Sequence, residues 1–269
     1  SEKKKINENK KVYFFGGSVV WGFGSNDINT IPSHFQDISG YRTVNFGESA
    51  WTSDQSLFYL IKLIKKDHRP DYVIFINGVN DVMKCSSRYG AEDGLLKEDE
   101  LNIKFSETIR SKSKTTFKNF FSIPIEIFDR IKSNFVTKEM KSTSVRYSKC
   151  LKSDFHKKIA KNVFENWKIA NKLVSDYGGE FVAILEPQLI FTDTRIDTKI
   201  GFNKNNVYNE ETKKIYSEIL KLSQNVDYVH DFKSIYNGID DYIFIDIGHH
   251  VSPKGNKFLA NKIFTEIIE

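Results

Sequence analysis

The sequence is poor in the residues that staple or break a chain. Two cysteines in 269 residues exclude a disulfide-dense miniprotein, and 15 glycines with 5 prolines exclude a collagen-like repeat. No run approaches the ~20 consecutive apolar residues of a membrane-spanning helix. Internal repeats and low-complexity tracts are absent as well. Charge of one sign is scarce: 40 Lys and Arg against 35 Asp and Glu leave a net charge of +5, too small to specify a nucleic-acid partner. What remains is an ordinary globular composition, 39% hydrophobic and 28% charged, long enough for a self-sufficient core. Residues 1–11 are a basic, Asn-rich lead-in containing Lys3, Lys4, Lys5, Lys10 and Lys11. They read as a solvated tail, with the flank of a removed signal or membrane anchor as the sharper alternative. Residues 12–269 read as one domain.

Five short β-branched and aromatic runs read as buried strands: 12–15, 43–46, 72–76, 181–185 and 226–230. Helical spacing lies between them. Leu57, Leu60, Ile61 and Ile64 share one face, as do Ile159, Val163, Trp167, Ala170 and Val174. Leu259, Ile263 and Ile267 mark an amphipathic helix at the end. Strands alternating with helices imply an α/β fold, a parallel sheet covered on both faces. Residues 84–150 break the rhythm and read as an insertion in the crossover between the third and fourth strands. Its aromatic stretch, 117–135, reads as a flap packed on the domain, with a membrane-surface helix as the alternative. Membrane contact is thus confined to that stretch or to an anchor ahead of residue 1.

The chemistry sits at the ends of the strands. The first strand runs into Gly16-Gly17-Ser18-Val19, which puts a hydroxyl at the carboxyl edge of the sheet, where open α/β folds place their sites. A helix starting there would aim free N–H groups at a developing anion. The second strand ends at Gly47, the third at Gly78-Val79-Asn80-Asp81. Asp246-Ile247-Gly248-His249-His250 precedes the last helix. In a parallel sheet these points converge. Together they supply a nucleophile, a base, a group to orient the base, and oxyanion donors, the inventory of acyl transfer. Asp81 reads as a residue that fixes its loop by hydrogen bonds. The adjacent histidines are poorly placed to chelate one ion, so no metal is expected.

The order Ser, Gly, Asn, Asp-x-x-His resembles the SGNH hydrolase family, the GDSL-type esterases and lipases. Ser18 matches the first block, Gly47 the second, Asn80 the third and Asp246 with His249 the last. The first block departs from Gly-Asp-Ser-Leu, reading Gly16-Gly17-Ser18-Val19. The resemblance implies a three-layer αβα, flavodoxin-like fold with about five parallel strands. It implies Ser18 as nucleophile, a histidine base held by Asp246, and an oxyanion hole from the N–H groups of Ser18 and Gly47 with the Asn80 side chain. No cofactor is implied. The substrate it implies is an acyl ester, with a small acyl group, acetyl, on a carbohydrate as the leading expectation. An O-acetyltransferase on a surface polysaccharide and a non-catalytic glycan-binding module are the alternatives.

Two registers compete for the base. Counting forward from Asp246, the family spacing selects His249. Counting back from the last helix, His-x-Ser-Pro-x-Gly-Asn selects His250. The Asp–His hydrogen bond is the stricter chemical demand, so His249 is expected, with His250 lining the site. Cys85 and Cys150 bracket the insertion. A disulfide closing its neck is expected in preference to two buried thiols, and would imply an oxidising, extracytoplasmic (periplasmic or cell-surface) setting.

Overall fold

The computed structural model describes residues 10–85, 154–195, 201–203 and 206–269. The core of the insertion, its 117–135 stretch, Cys150 and residues 1–9 lie outside the described residues. The sheet has five parallel strands: β1 (Lys11–Gly16), β2 (Arg42–Gly47), β3 (Tyr72–Asn77), β4 (Glu180–Leu185) and β5 (Val229–Asp231), in the order β2-β1-β3-β4-β5. Helices cover it on both sides: α1 (Ser18–Trp21), α2 (Ile31–Ser39), α3 (Ser53–Ile64), α4 (Val79–Met83), α5 (Phe155–Ser175), α6 (Val207–Leu222) and α7 (Pro253–Ile263). This is the α/β architecture the alternation implied.

The period-2 pattern of the strands splits the core in two. Tyr13, Phe15, Val73, Phe75, Phe181 and Ala183 face one layer, against Leu60 of α3, Val163, Trp167 and Ala170 of α5, and Ile215 and Ile219 of α6. Val12, Phe14, Ile74, Ile76, Val182 and Ile184 face the other, against Ile31 and Phe35 of α2 and Leu259 and Ile263 of α7. Strands buried on both faces read as continuous apolar runs, which is why β3 was legible as Tyr-Val-Ile-Phe-Ile.

Strands β1 to β4 each run one residue beyond the expected bounds at one end or both, and β5 is displaced toward the C-terminus. β1 begins at Lys11, not Val12, because Lys11 pairs with Arg42 of β2, whose N–H donates to the Lys10 carbonyl at 2.9 Å; Asp71 Oδ2 accepts the Lys11 N–H at 2.8 Å. β5 starts three residues late, at Val229. The Val226 N–H is spent on the Ser223 carbonyl in the turn that leaves α6, and only 229–231 pair with β4.

In register, Gly16 lies between Gly47 and Ile76, and Asn77 beside Leu185. Ser18, the loop after β2, the Gly78–Asp81 turn and the loop after β4 therefore share the carboxyl edge.

Candidate active site

Ser18 is the first residue of α1, two residues past β1. The last loop folds back to meet it. The Phe244–Val251 antiparallel bridge and the Ile245 N–H to His250 carbonyl bond (2.9 Å) close residues 244–251 into a tight turn. Ser252 caps α7 by accepting the Gly255 N–H at 3.3 Å, with Pro253 in the first turn, so the exit of this turn is rigid. Within it, Asp246 Oδ2 lies 2.6 Å from His250 Nδ1, and His250 Nε2 lies 2.8 Å from Ser18 Oγ. Asp246 Oδ1 also accepts the His250 backbone N–H at 3.2 Å. Burial alone would raise the Asp246 carboxyl; the hydrogen bonds and charge of His250, with the Gly248 N–H, hold it below the usual carboxylate range. An ionised Asp246 can only accept, so Nδ1 carries the imidazole proton. That leaves the Nε2 lone pair for the Ser18 hydroxyl.

The residue between Ser18 and Asp246 is therefore His250, and the expected His249 is displaced. His249 is 2% exposed and has a left-handed backbone, φ 67°. Its Nδ1 accepts the Leu189 N–H at 3.1 Å, and its ring lies near parallel to that of Tyr208. Burial pushes its pKa down to about 4, partly opposed by Asp246, so it is neutral. The left-handed step at His249 takes up the extra residue inside the turn, so consecutive side chains point to opposite partners.

Asn80 is where the third block predicted. Its Nδ2 donates to the Trp51 carbonyl at 2.9 Å, which leaves the second N–H of the amide uncommitted by that bond. The amide packs directly on Gly17: a Cβ there would lie 2.3 Å from Asn80 Nδ2. Any side chain at Gly17 would therefore displace the Asn80 amide from this position. Asp81 accepts the Ser53 hydroxyl at 2.7 Å and the Ser53 N–H at 3.1 Å, tying the Asn80 turn to α3. Burial pushes Asp81 up to about 6, with Lys84 opposing and Asp54 reinforcing the rise.

Gly47 does not offer a free donor. Its N–H is bound to Asn45 Oδ1 at 2.8 Å. The reason for glycine is packing, since a Cβ would lie 2.4 Å from the Trp21 nitrogen on α1. The strained position of this loop is Ala50, φ 64°, beside the Trp51 carbonyl that holds Asn80. A left-handed alanine leaves no mark in the sequence.

Sequence reasoning missed three further features. Phe23 stacks on His250, with ring centroids 4.0 Å apart and planes at 26°. Lys84 and Asp54 form a buried ion pair whose carboxylate also accepts from Asn162 (2.8 Å) and Asn166 (2.9 Å). Glu186 Oε2 accepts the Val79 N–H at 3.1 Å, beneath the Asn80 turn; burial pushes its pKa up to about 8, opposed by that bond and reinforced by Asp81. Each depends on contacts between distant segments. Cys85 is disulfide-bonded, while its expected partner, Cys150, lies outside the described residues.

No protein-family model matches the chain, and no curated protein matches it. Solved structures do. A lipolytic G-D-S-L protein from Veillonella parvula matches with TM-score 0.53 and 12% identity, over 96% of this chain and 98% of that one. An acetyl xylan esterase matches with TM-score 0.52 and 16% identity, over 96% and 100%. A carbohydrate acetylesterase from Sinorhizobium meliloti matches with TM-score 0.52 and 14% identity, over 96% and 98%. At these identities the likeness speaks to architecture, and it agrees with the four motifs: the chain has the fold of the SGNH hydrolases, the GDSL-type esterases and lipases.

Proposed function

We propose that the protein is a serine ester hydrolase that removes a small acyl group, acetyl, from a carbohydrate ester. The observation that carries the reading is the continuous relay Asp246–His250–Ser18, with contacts of 2.6 and 2.8 Å. Ser18 Oγ attacks the ester carbonyl as His250 Nε2 takes its proton. Asp246 holds the imidazole in the reactive tautomer and stabilises the imidazolium. The Ser18 N–H and the second N–H of Asn80 receive the oxyanion. His250 then protonates the leaving alcohol, and water attacks the acyl-serine by the same relay in reverse. All these groups come from the protein itself, and the reaction calls on no cofactor. The acetyl and carbohydrate parts draw support from the similar acetyl xylan esterase and carbohydrate acetylesterase. An extracytoplasmic setting draws support from the disulfide at Cys85.

The test is acetate release from p-nitrophenyl acetate and from an acetylated glycan, with wild type and Ser18→Ala. Ser18→Ala should abolish release while leaving the circular dichroism spectrum and melting temperature unchanged. Wild-type-like turnover in that variant would end the serine mechanism.

A further inference from the structure

We propose that the leaving-group alcohol of the substrate is neutral and carries an apolar face, and that Phe23, Ile245 and Ile247 form the surface that receives it. The inference rests on the acyl-transfer reading above and adds the chemical class of the alcohol. In that chemistry the proton taken from Ser18 Oγ stays on His250 Nε2 until the carbonyl carbon–oxygen bond to the alcohol breaks. It then passes to the departing oxygen. That oxygen must come within hydrogen-bond reach of Nε2, roughly 2.6–3.2 Å. The carbon skeleton bonded to it consequently lies beside the His250 imidazole.

The surface at that place is apolar. Phe23 covers one face of the imidazole at 4.0 Å and is itself 43% exposed. Gly24 lies against Ile245, so close that a Cβ would sit 2.2 Å from Ile245 Cδ1. The loop after α1 and the Asp246 turn thus form one continuous patch. Ile245 and Ile247 flank Asp246 and are 39% and 60% exposed. Large apolar side chains held in water on the histidine and beside the carboxylate that orients it mark a surface that a ligand covers. Neither residues 19–25 nor residues 243–251 contain a lysine or arginine, so these segments supply no counter-charge for a phosphorylated or carboxylated alcohol. The fit is a ring or alkyl alcohol whose hydrocarbon face lies on Phe23.

The experiment measures kcat/KM of the full chain for methyl, n-butyl and cyclohexyl acetate. The acyl group is constant and the leaving groups are similarly basic. Wild type should gain roughly tenfold from methyl to cyclohexyl, the effect of about three half-buried methylenes. In Phe23→Ser and in Ile247→Ser the cyclohexyl-to-methyl ratio should fall toward one. A flat series in wild type overturns the inference. So does an unchanged ratio in both variants, and a uniform loss in Phe23→Ser would make Phe23 a residue that only positions His250. A wild type inert toward all three acetates, with Ser18 unlabelled by a fluorophosphonate, overturns the acyl-transfer reading itself and the inference with it.

Discussion

The Leu189 N–H donates to His249 Nδ1 at 3.1 Å, and this bond fixes which of two adjacent histidines faces Ser18. It anchors the turn to the loop after β4, which β3 separates from β1. With His249 held there in the left-handed conformation, His250 has Ser18 within reach.

His250→Ala should lower kcat by roughly 10⁴ or more, the scale of losing a relay member. His249→Ala should lower it by about 10–100-fold, because it displaces the neighbouring ring without removing it. His249→Asn should recover much of that loss. Asparagine tolerates a positive φ, and its Oδ1 can accept the Leu189 N–H. Steady-state kinetics on the three variants decides it; full activity in His250→Ala would return the base to His249.

Asn80→Ala should lower kcat by roughly 10²–10³ with little change in KM, the pattern of a donor whose bond strengthens as charge develops. The bond to Trp51 holds the amide in place beforehand. A defect confined to KM would make Asn80 a substrate-binding residue.

Stability should depend on pH from both sides. Burial pushes Glu186 up to about 8 in the fold, against 4.5 for the free carboxyl. Between those values the folded chain holds a proton that the unfolded chain has released, so this contribution is full below 4.5 and is lost as pH rises toward 8. His249 works in the opposite sense. Its pKa of about 4 against 6.5 means that stability is lost as pH falls through that window. Glu186→Gln keeps an acceptor for the Val79 N–H and should flatten the alkaline decline. Melting temperatures from pH 4 to 9 test this, and an unchanged alkaline slope in the variant counts against it.

Under oxidising conditions, Cys85 should be found bonded to Cys150. The loop so closed spans about 65 residues, for which chain-entropy arguments give roughly 4 kcal/mol of stabilisation. Mass spectrometry after alkylation, with and without reduction, reads it directly. Two alkylated thiols in the unreduced sample would refute the bond and remove the support for an extracytoplasmic setting.

Much of this was legible in the chain, and the reason is locality. Strand β3 and the buried face of α5 follow from the spacing of apolar residues, because period 2 and period 3.6 are properties of single elements. Ser18, Asn80 and Asp246 were legible because each sits in a short polar block directly after a buried run or before a helix. A fixed Asp-x-x-His spacing assumes a regular turn, and the left-handed step at His249 breaks that assumption, so His250 is the ring that lies between Asp246 and Ser18. The rigid Ser252-Pro253 helix start was the better ruler. The need for glycine at position 47 comes from α1 crossing β2 at close range, a contact that no motif records.

The elements, the parallel sheet and the edge on which the polar blocks collect follow from local periodicity and from where those blocks interrupt it. Packing in three dimensions settles that His250 rather than His249 meets Ser18, that Asn45 occupies the Gly47 N–H, and that Phe23 lies on the imidazole. Those outcomes depend on φ at single residues and on contacts between segments as many as 232 positions apart. Such contacts are set by how the layers pack; spacing along the chain offered two registers for the histidine and nothing to choose between them.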